Sequence, residues 1–514
     1  MAKDDVVIEI EPGAVSTVML EPADSRVLKV LETDLAVIEK SVGKARRREA
    51  IGVLHKVCVF NELENPHEYG KKSKLLMVYV YAFAGCVPAM GSAVIYPTVH
   101  DIAAYFRTDL SVINLSIGFY MFSLGVFPLW WSYLSEIQGR RAVYLYSFVL
   151  FVGFSIGCAL SNSIGMLIAF RILAGGAAAS SQSVGAGAIG DIYTPSERGR
   201  ANSYFYLGPL VGPMITPIIA GALNDRWGWR APQYFLTILG FMALLQIMVL
   251  LPETLVRKPI DPSAQEKKDK RKESNRTKYY VSEGYQFFIE PFKAFKLLKY
   301  PSFLFAISYN SFGYGGLYIF NNTIDLYFVR PPYSFSSLIT GIMYFPNGLG
   351  YVLGSIAGGR WADRIIKKAL KENNGVLVPE ARLGVNMVFA GVLVCGGMLI
   401  FGWALEKGVF WFVPLVGTFV FGFGSLIIFT ATLTYLVDSM PNQRSGAVSI
   451  NTFIRCMTAA VGTFVTVPIE NGIGAGWMFT ILSCIGVVFF ALQIYVKKKG
   501  PEWRARSMAS METG

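Results

Sequence analysis

The sequence predicts an all-α polytopic membrane protein with twelve transmembrane helices in two pseudo-symmetric six-helix bundles. One observation is composition: 53% of the 514 residues are apolar and only 16% charged, a balance too greasy for a soluble multidomain protein. Another is patterning, because Leu, Ile, Val and Phe gather in runs of about 20 residues, the length that crosses a hydrocarbon core as helix. The third is repetition. Trp131-Ser-Tyr-Leu-Ser135-Glu136-Ile-Gln-Gly139-Arg140-Arg141 and Gly359-Arg-Trp-Ala-Asp363-Arg364-Ile-Ile-Lys367-Lys368 end apolar helices at matching places in the two halves. Repeated halves with repeated turns are the usual build of a machine that alternates between two faces of a bilayer.

In chain order, residues 1–73 are mixed in charge and lack the apolar core of a signal peptide, so they read as a disordered cytosolic tail. Runs centred near Pro88, Ser123, Phe151, Ala177, Val211 and Phe241 make a first bundle over 74–251. A polar linker over 252–300 follows, with the charge run Ala264-Gln-Glu-Lys-Lys-Asp-Lys-Arg-Lys-Glu-Ser-Asn-Arg at its centre. Within it, the stretch from Tyr285 suits a short amphipathic helix on the membrane surface. Runs centred near Phe312, Leu349, Val394, Phe421, Arg455 and Phe489 make a second bundle over 301–496, and 497–514 form a cytosolic tail. Between spans five and six, the tryptophans of Asn224-Asp-Arg-Trp-Gly-Trp-Arg suit the interfacial belt.

The net charge of +12 invites a nucleic-acid reading, but most Lys and Arg lie on the tails and even-numbered connections. That is the positive-inside pattern, so the charge reports orientation and a by-product attraction to lipid headgroups. No nucleic-acid partner is expected. The six cysteines show no disulfide or metal spacing, and His55, His67 and His100 are scattered. With no catalytic constellation and no phosphate-binding loop, neither an enzyme nor an ATP-driven pump is expected. No cofactor or metal is implied, and energy should come from a gradient.

Several residues stand out against this frame. At the basic turns, Glu136 and Asp363 precede Gly139, Arg140 and Arg141 and Arg364; an acid there can bind exposed helix-start N–H groups while Arg pairs across the bundle. The alternative is that the arginines only anchor topology. In span five, Gly208-Pro209 and Gly212-Pro213, followed by Pro217 and Gly221, combine lost backbone bonds with close approach, as a bent pivot requires. Arg171 in span four shares a face with Gly175, Ala178 and Gln182. It reads as a substrate contact, a proton-relay partner or an organiser of carbonyls, or else as an Arg snorkelling to the interface. In span eleven, Arg455 lies on one face with Asn451, Thr458 and Gly462. Span seven offers Asn310, Tyr314, Asn321 and Asp325, either lining a path or bonding neighbouring helices, with Asp325 near enough to the outer end to be a solvated cap. No Asp or Glu sits at mid-depth in a span. The central cavity is therefore neutral to positive, which favours anionic, zwitterionic or neutral cargo, or coupling through peripheral acids such as Asp101, Asp191, Asp325 or Asp438.

These motifs resemble those of the major facilitator superfamily from about Leu75 to Val496. The turn after span two is similar to that family's gating signature, Arg171 with Gly175 to its fourth-helix Arg motif, and Gly208-Pro209 to Gly212-Pro213 to its fifth-helix antiporter motif. Gly190-Asp191-Ile-Tyr with Glu197-Arg198-Gly199-Arg200, Leu251-Pro252-Glu253-Thr254, and Tyr435-Leu-Val-Asp438 through Arg455 resemble the fungal twelve-span drug:proton antiporters. Phe127-Pro-Leu-Trp-Trp, Ser203-Tyr-Phe-Tyr-Leu-Gly-Pro and Arg226-Trp-Gly-Trp-Arg are nearest the quinidine-resistance and dityrosine transporters. Two departures stand in the first turn: the usual Asp is Ser135, with the acid displaced to Glu136, and the opening Gly is Trp131.

The resemblance implies a monomeric secondary transporter at the plasma membrane. It would export drugs, organic acids, polyamines or wall precursors against protons, with Asp191, Arg198 and Asp438 joining the gates. A facilitator or proton-coupled importer of a metabolite is the alternative, and a non-transporting membrane sensor a more distant one.

Overall fold

The computed structural model describes residues 58–60, 62–63, 65–255, 289–372, 379–439 and 444–512. The tail before 58, His55 and the linker charge run lie outside the described residues, as do the side chains of Arg198 and Asp363. Helices dominate the rest. The first half holds α1 (Lys71–Ala93), α2 (Val99–Phe106), α3 (Leu110–Val126), α4 (Pro128–Gln138), α5 (Arg140–Ala159), α6 (Ile164–Ala178), α7 (Ser180–Ile192), α8 (Pro195–Trp227) and α9 (Arg230–Leu250). In the second half are α10 (Pro301–Phe328), α11 (Ser337–Met343), α12 (Phe345–Glu372), α13 (Val385–Glu406), α14 (Phe412–Ser439) and α15 (Arg444–Glu512).

Nine helical runs among the described residues are long and apolar enough to cross a membrane. The last of them, Gly446–Trp503, is two helices joined where Gly474 takes φ 76°. Beside these stand the 28-residue α10 and the α11–α12 pair. Their asparagines, Asp325 and the basic end of α12 lower their hydropathy. Local signals place the ends: Ser163 Oγ accepts a hydrogen bond from the Met166 N–H at the start of α6 (3.2 Å), and Gly228 at φ 79° stops α8.

Each half has its own packed centre. Tyr81, Tyr144, Phe148 and Phe151 form a buried column in the first. In the second, Phe320 meets Phe401, Phe421 and Phe479 at 4.5, 4.2 and 4.7 Å between ring centroids. Three helix pairs join the halves: α3 lies against α15, and α8 against both α11 and α12. One end of the molecule carries both basic turns and is called the basic end; the other is the far end.

Two stretches outside the expected bundle bounds pack against the first bundle. Ahead of α1, Val59 N–H bonds the Val249 carbonyl (2.9 Å) and Glu62 is buried, so the first bundle takes in part of the expected tail. Glu253 and Thr254 are also buried in that bundle rather than free in the linker. Residues Glu290–Lys299 form a 3₁₀ helix whose Phe292 meets Trp130 and whose Phe295 meets Phe453, so this part of the stretch touches both halves, while Ile289 and Phe292 stay exposed; residues 285–288 lie outside the described residues. Of the two far-end tryptophans, Trp227 is exposed as expected of an interfacial belt. Trp229 is buried against Tyr105 and Phe106, with the Arg230 guanidinium 4.4 Å from its ring centre.

Candidate functional site

The first basic turn is a closed latch. Gly139 takes φ 113°, and a side chain there would run into the Glu253 carboxylate, so only glycine fits. This sharp turn aims the backbone N–H groups of Arg140 and Arg141 at Glu253, which accepts both, at 2.9 and 3.2 Å. Arg140 donates through Nε to Asp191 (3.0 Å) and through Nη1 to Ser135 Oγ (2.6 Å). Arg141 donates to the Met248 carbonyl (2.8 Å) and lies 3.8 Å from Glu62. Burial pushes the Glu253 carboxyl above the usual carboxylate range, while the N–H groups of Leu255, Arg140 and Arg141 pull it back.

The expectation that Glu136 supplies the acid is overturned. Its side chain is exposed, because the last turn of α4 points it away from the latch. Ser135, in the place of the usual Asp, is buried and accepts from Arg140, and the carboxylates come from Asp191 and Glu253. The topology-only reading of Arg140 and Arg141 also fails, since both are buried and bonded.

The second turn is open. Arg364 is exposed and lines a groove with Arg360, Trp361 and Lys368. Asp438 is instead gripped by Arg382, whose Nε and Nη2 are both 2.8 Å from Oδ2. Arg382 precedes α13 as Arg140 begins α5, and Asp438 ends α14 as Asp191 ends α7. The internal repeat thus extends to an Arg–Asp pair in each half, and Arg382 is a residue sequence reading missed.

Between the halves lies a tyrosine-rich centre. Arg171 is buried, donates to the Gly91 carbonyl (2.7 Å) and lies 4.2 Å from the centre of the Tyr120 ring; its Nε and Nη2 are buried without a hydrogen-bond partner among the described residues. The snorkelling alternative is therefore overturned. Arg455 is only partly buried and lies 4.4 Å from the Tyr314 ring centre and 5.0 Å from that of Phe429. Tyr314 and Tyr318 link the two guanidinium sites, their hydroxyls 3.5 Å apart, and Tyr318 donates to Ser92 across the bundles (3.1 Å). Tyr206 and Tyr351 add further rings near Arg455. Asn310 Nδ2 donates to Asn451 Oδ1 (2.8 Å), a buried helix-to-helix bond. Gln182 is partly exposed. Gly175, by contrast, packs on the Tyr120 backbone, so the small-residue stripe of α6 is partly a helix contact.

α8 reaches both halves. A side chain at Gly208 would strike the Ala82 carbonyl of α1, and Gly212 faces Cys86 and Met90 on the same helix. Pro209, Pro213 and Pro217 stand inside α8, and Gly221 lies against the Ser337 carbonyl of the second half. Near this far end Asn224 Nδ2 donates to Asp101 and to Ser337 Oγ (3.0 Å), Leu338 N–H donates to Asp225 (3.0 Å), and Tyr96 stacks on Tyr344. Asn321 is buried there, its carbonyl accepting from Tyr344 (2.9 Å). Asp325 is 4% exposed and lies beside His100 of the first half, so it is no solvated cap.

Two helical halves, a polar centre between them and contacts that fasten one end define a polytopic membrane transporter. The family model of the Major Facilitator Superfamily matches residues 81–463, and the chain belongs to that superfamily. It is therefore a transporter rather than an enzyme. It is 34% identical to the MFS antiporter QDR3 of Candida albicans, over 93% of this chain and 87% of that one. Quinidine resistance protein 3 of Saccharomyces cerevisiae is 32% identical, over 91% and 88%. Among solved structures, the partially occluded inward-open xylose transporter XylE from E. coli aligns with a TM-score of 0.61, covering 83% of this chain and 98% of that one at 14% identity, which speaks for the fold alone.

Proposed function

We propose that this chain exports small organic molecules, preferably anionic or zwitterionic ones, in exchange for protons at the plasma membrane. The basic end faces the cytosol, as the positive-inside bias suggests. The two bundles rock about the Arg171–Arg455 centre, α8 serving as the pivot and the latches at Arg140–Asp191 and Arg382–Asp438 as basic-end gates. Protons and cargo are the partners, and the lipid bilayer is the solvent.

One observation carries this reading. Arg171 holds two buried donors without a hydrogen-bond partner among the described residues, beside the Tyr120 ring, and Arg455, against the Tyr314 ring, has a further such donor in its Nε. A carboxylate seated there would satisfy donors that are otherwise costly to bury, with rings to cover its apolar body. The names of the relatives, an antiporter and a quinidine resistance protein, support export and antiport. In proteoliposomes, an imposed pH gradient is expected to drive organic-anion movement. Arg171→Ala and Arg455→Ala should each lower it about tenfold or more, the cost of one charge-assisted bond. Undiminished anion transport in the double variant would remove the basis for this cargo class.

A further inference from the structure

One contact between the halves joins two titratable groups that no gate or cargo contact uses. His100 Nε2 on α2 lies 3.4 Å from Asp325 Oδ2 on α10. The Asp325 side chain is 5% exposed and its other oxygen, Oδ1, is buried without a hydrogen-bond donor among the described residues. His100 is 27% exposed and so keeps contact with far-end water. The charged groups facing the pair are Asp101 on α2 and Arg330 just beyond α10. Asp101 is already engaged by Asn224, and Arg330 stands exposed at the rim. The hydroxyl-bearing Tyr96 and Tyr344 also lie near Asp325.

Pressing a carboxylate against a neutral imidazole in a dry interface strands one negative charge there, which is unfavourable. One added proton, on either group, turns the pair into a hydrogen-bonded unit with no net charge. When the halves part at the far end, water replaces the partner and each group returns to ordinary titration. Closed and open forms therefore differ by one bound proton.

We propose that His100 and Asp325 form a proton-binding site that links closure of the far end to uptake of one proton from the medium on that side. The proton passes from far-side water onto the pair as the halves meet, and returns or moves on only when the pair is separated or hydrated again. This rests on the alternating-access reading, and not on the cargo or on antiport.

The test places spin labels at Asn162→Cys and Lys407→Cys, exposed far-end positions of the two halves, in full-length protein whose native cysteines are replaced. Pulsed-EPR distances are then read in lipid nanodiscs from pH 5 to pH 8. The closed-to-open ratio should rise as pH falls, by up to about tenfold per unit, the limit for one proton. Asp325→Asn should favour the closed far end and abolish the rise of closure as pH falls; a titration like that of the parent would overturn the proposal. Should Asp325→Asn fail to fold, His100→Gln decides: a midpoint displaced to lower pH supports the site, and an unmoved one overturns it. Transport indifferent to a pH gradient, with closure still proton-linked, would sink antiport and leave this site standing. Gradient-driven transport with pH-independent closure would do the reverse.

Discussion

Arg140 and Arg141 at the first basic turn are buried and bonded to Asp191, Ser135, Glu253 and Met248, whereas Arg364 at the second turn stands exposed beside Arg360 and Lys368. Two stretches that look like copies in the sequence are thus held in opposite ways. What repeats in bonding is the Arg–Asp pair, Arg140–Asp191 and Arg382–Asp438, which ties the start of one helix to the end of another. The similarity of the turns marks where a helix ends. It does not say which acid will meet which base. The two pairs are similarly exposed, 9% and 22% for Arg140 and Asp191 against 13% and 22% for Arg382 and Asp438; what the first half adds, among the described residues, is Glu253 on the Arg140 and Arg141 N–H groups. The first latch should resist disruption until a buried partner is lost, while the second yields more gradually.

The sharpest way to break this contrast is at Glu253. Glu253→Ala leaves two buried N–H groups without their acceptor and should cost about 3 kcal/mol of stability, from roughly 1.5 kcal/mol per charge-assisted bond. Glu136→Ala, at an exposed position, should stay within about 0.5 kcal/mol. Thermal unfolding of the two variants in detergent measures both, and equal effects would return Glu136 to the latch. Next in size is the second half. Arg382→Ala should cost about 1 kcal/mol, since a partly exposed pair is screened by water, and Arg364→Ala close to nothing. The smallest effect is a slope. Burial raises the folded-state pKa of Glu253 above its ordinary 4.5, so between those two values the folded protein binds more protons than the unfolded one. Wild-type stability relative to Glu253→Gln should therefore be highest at low pH and fall as pH rises through that window. A difference that grows with pH would contradict the burial argument.

The helical runs, their division into halves and the places of the turns were legible because period and hydropathy are local properties of a chain. Arg171 was legible for a related reason: an Arg within an apolar run must face inward or reach an interface, and the small residues beside it narrowed the choice. Pairings were not. Glu253 lies far along the chain from Arg140, and nothing in the spacing of either announces the other. Ser135 stood where an Asp is usual and the acid read as displaced to Glu136, yet one hundred degrees of helical rotation put Glu136 on the outer face. His100 and Asp325 sit in different halves, so only the docking of bundles brings them together. Of the tyrosine cluster only Tyr314 was singled out from the sequence; Tyr318 follows it one helical turn on, at i+4. Tyr206 and Tyr351 join it from α8 and α12.

The latch also sets an order of events during synthesis. Arg140 and Arg141 emerge early, at the start of the third span, but their carboxylate arrives only after the whole sixth span has been made. Until then the turn has no acceptor for its two N–H groups, and Val249, which holds the stretch ahead of α1, is missing as well. The nascent first half is therefore an unsealed bundle whose start and middle both wait on its last few residues.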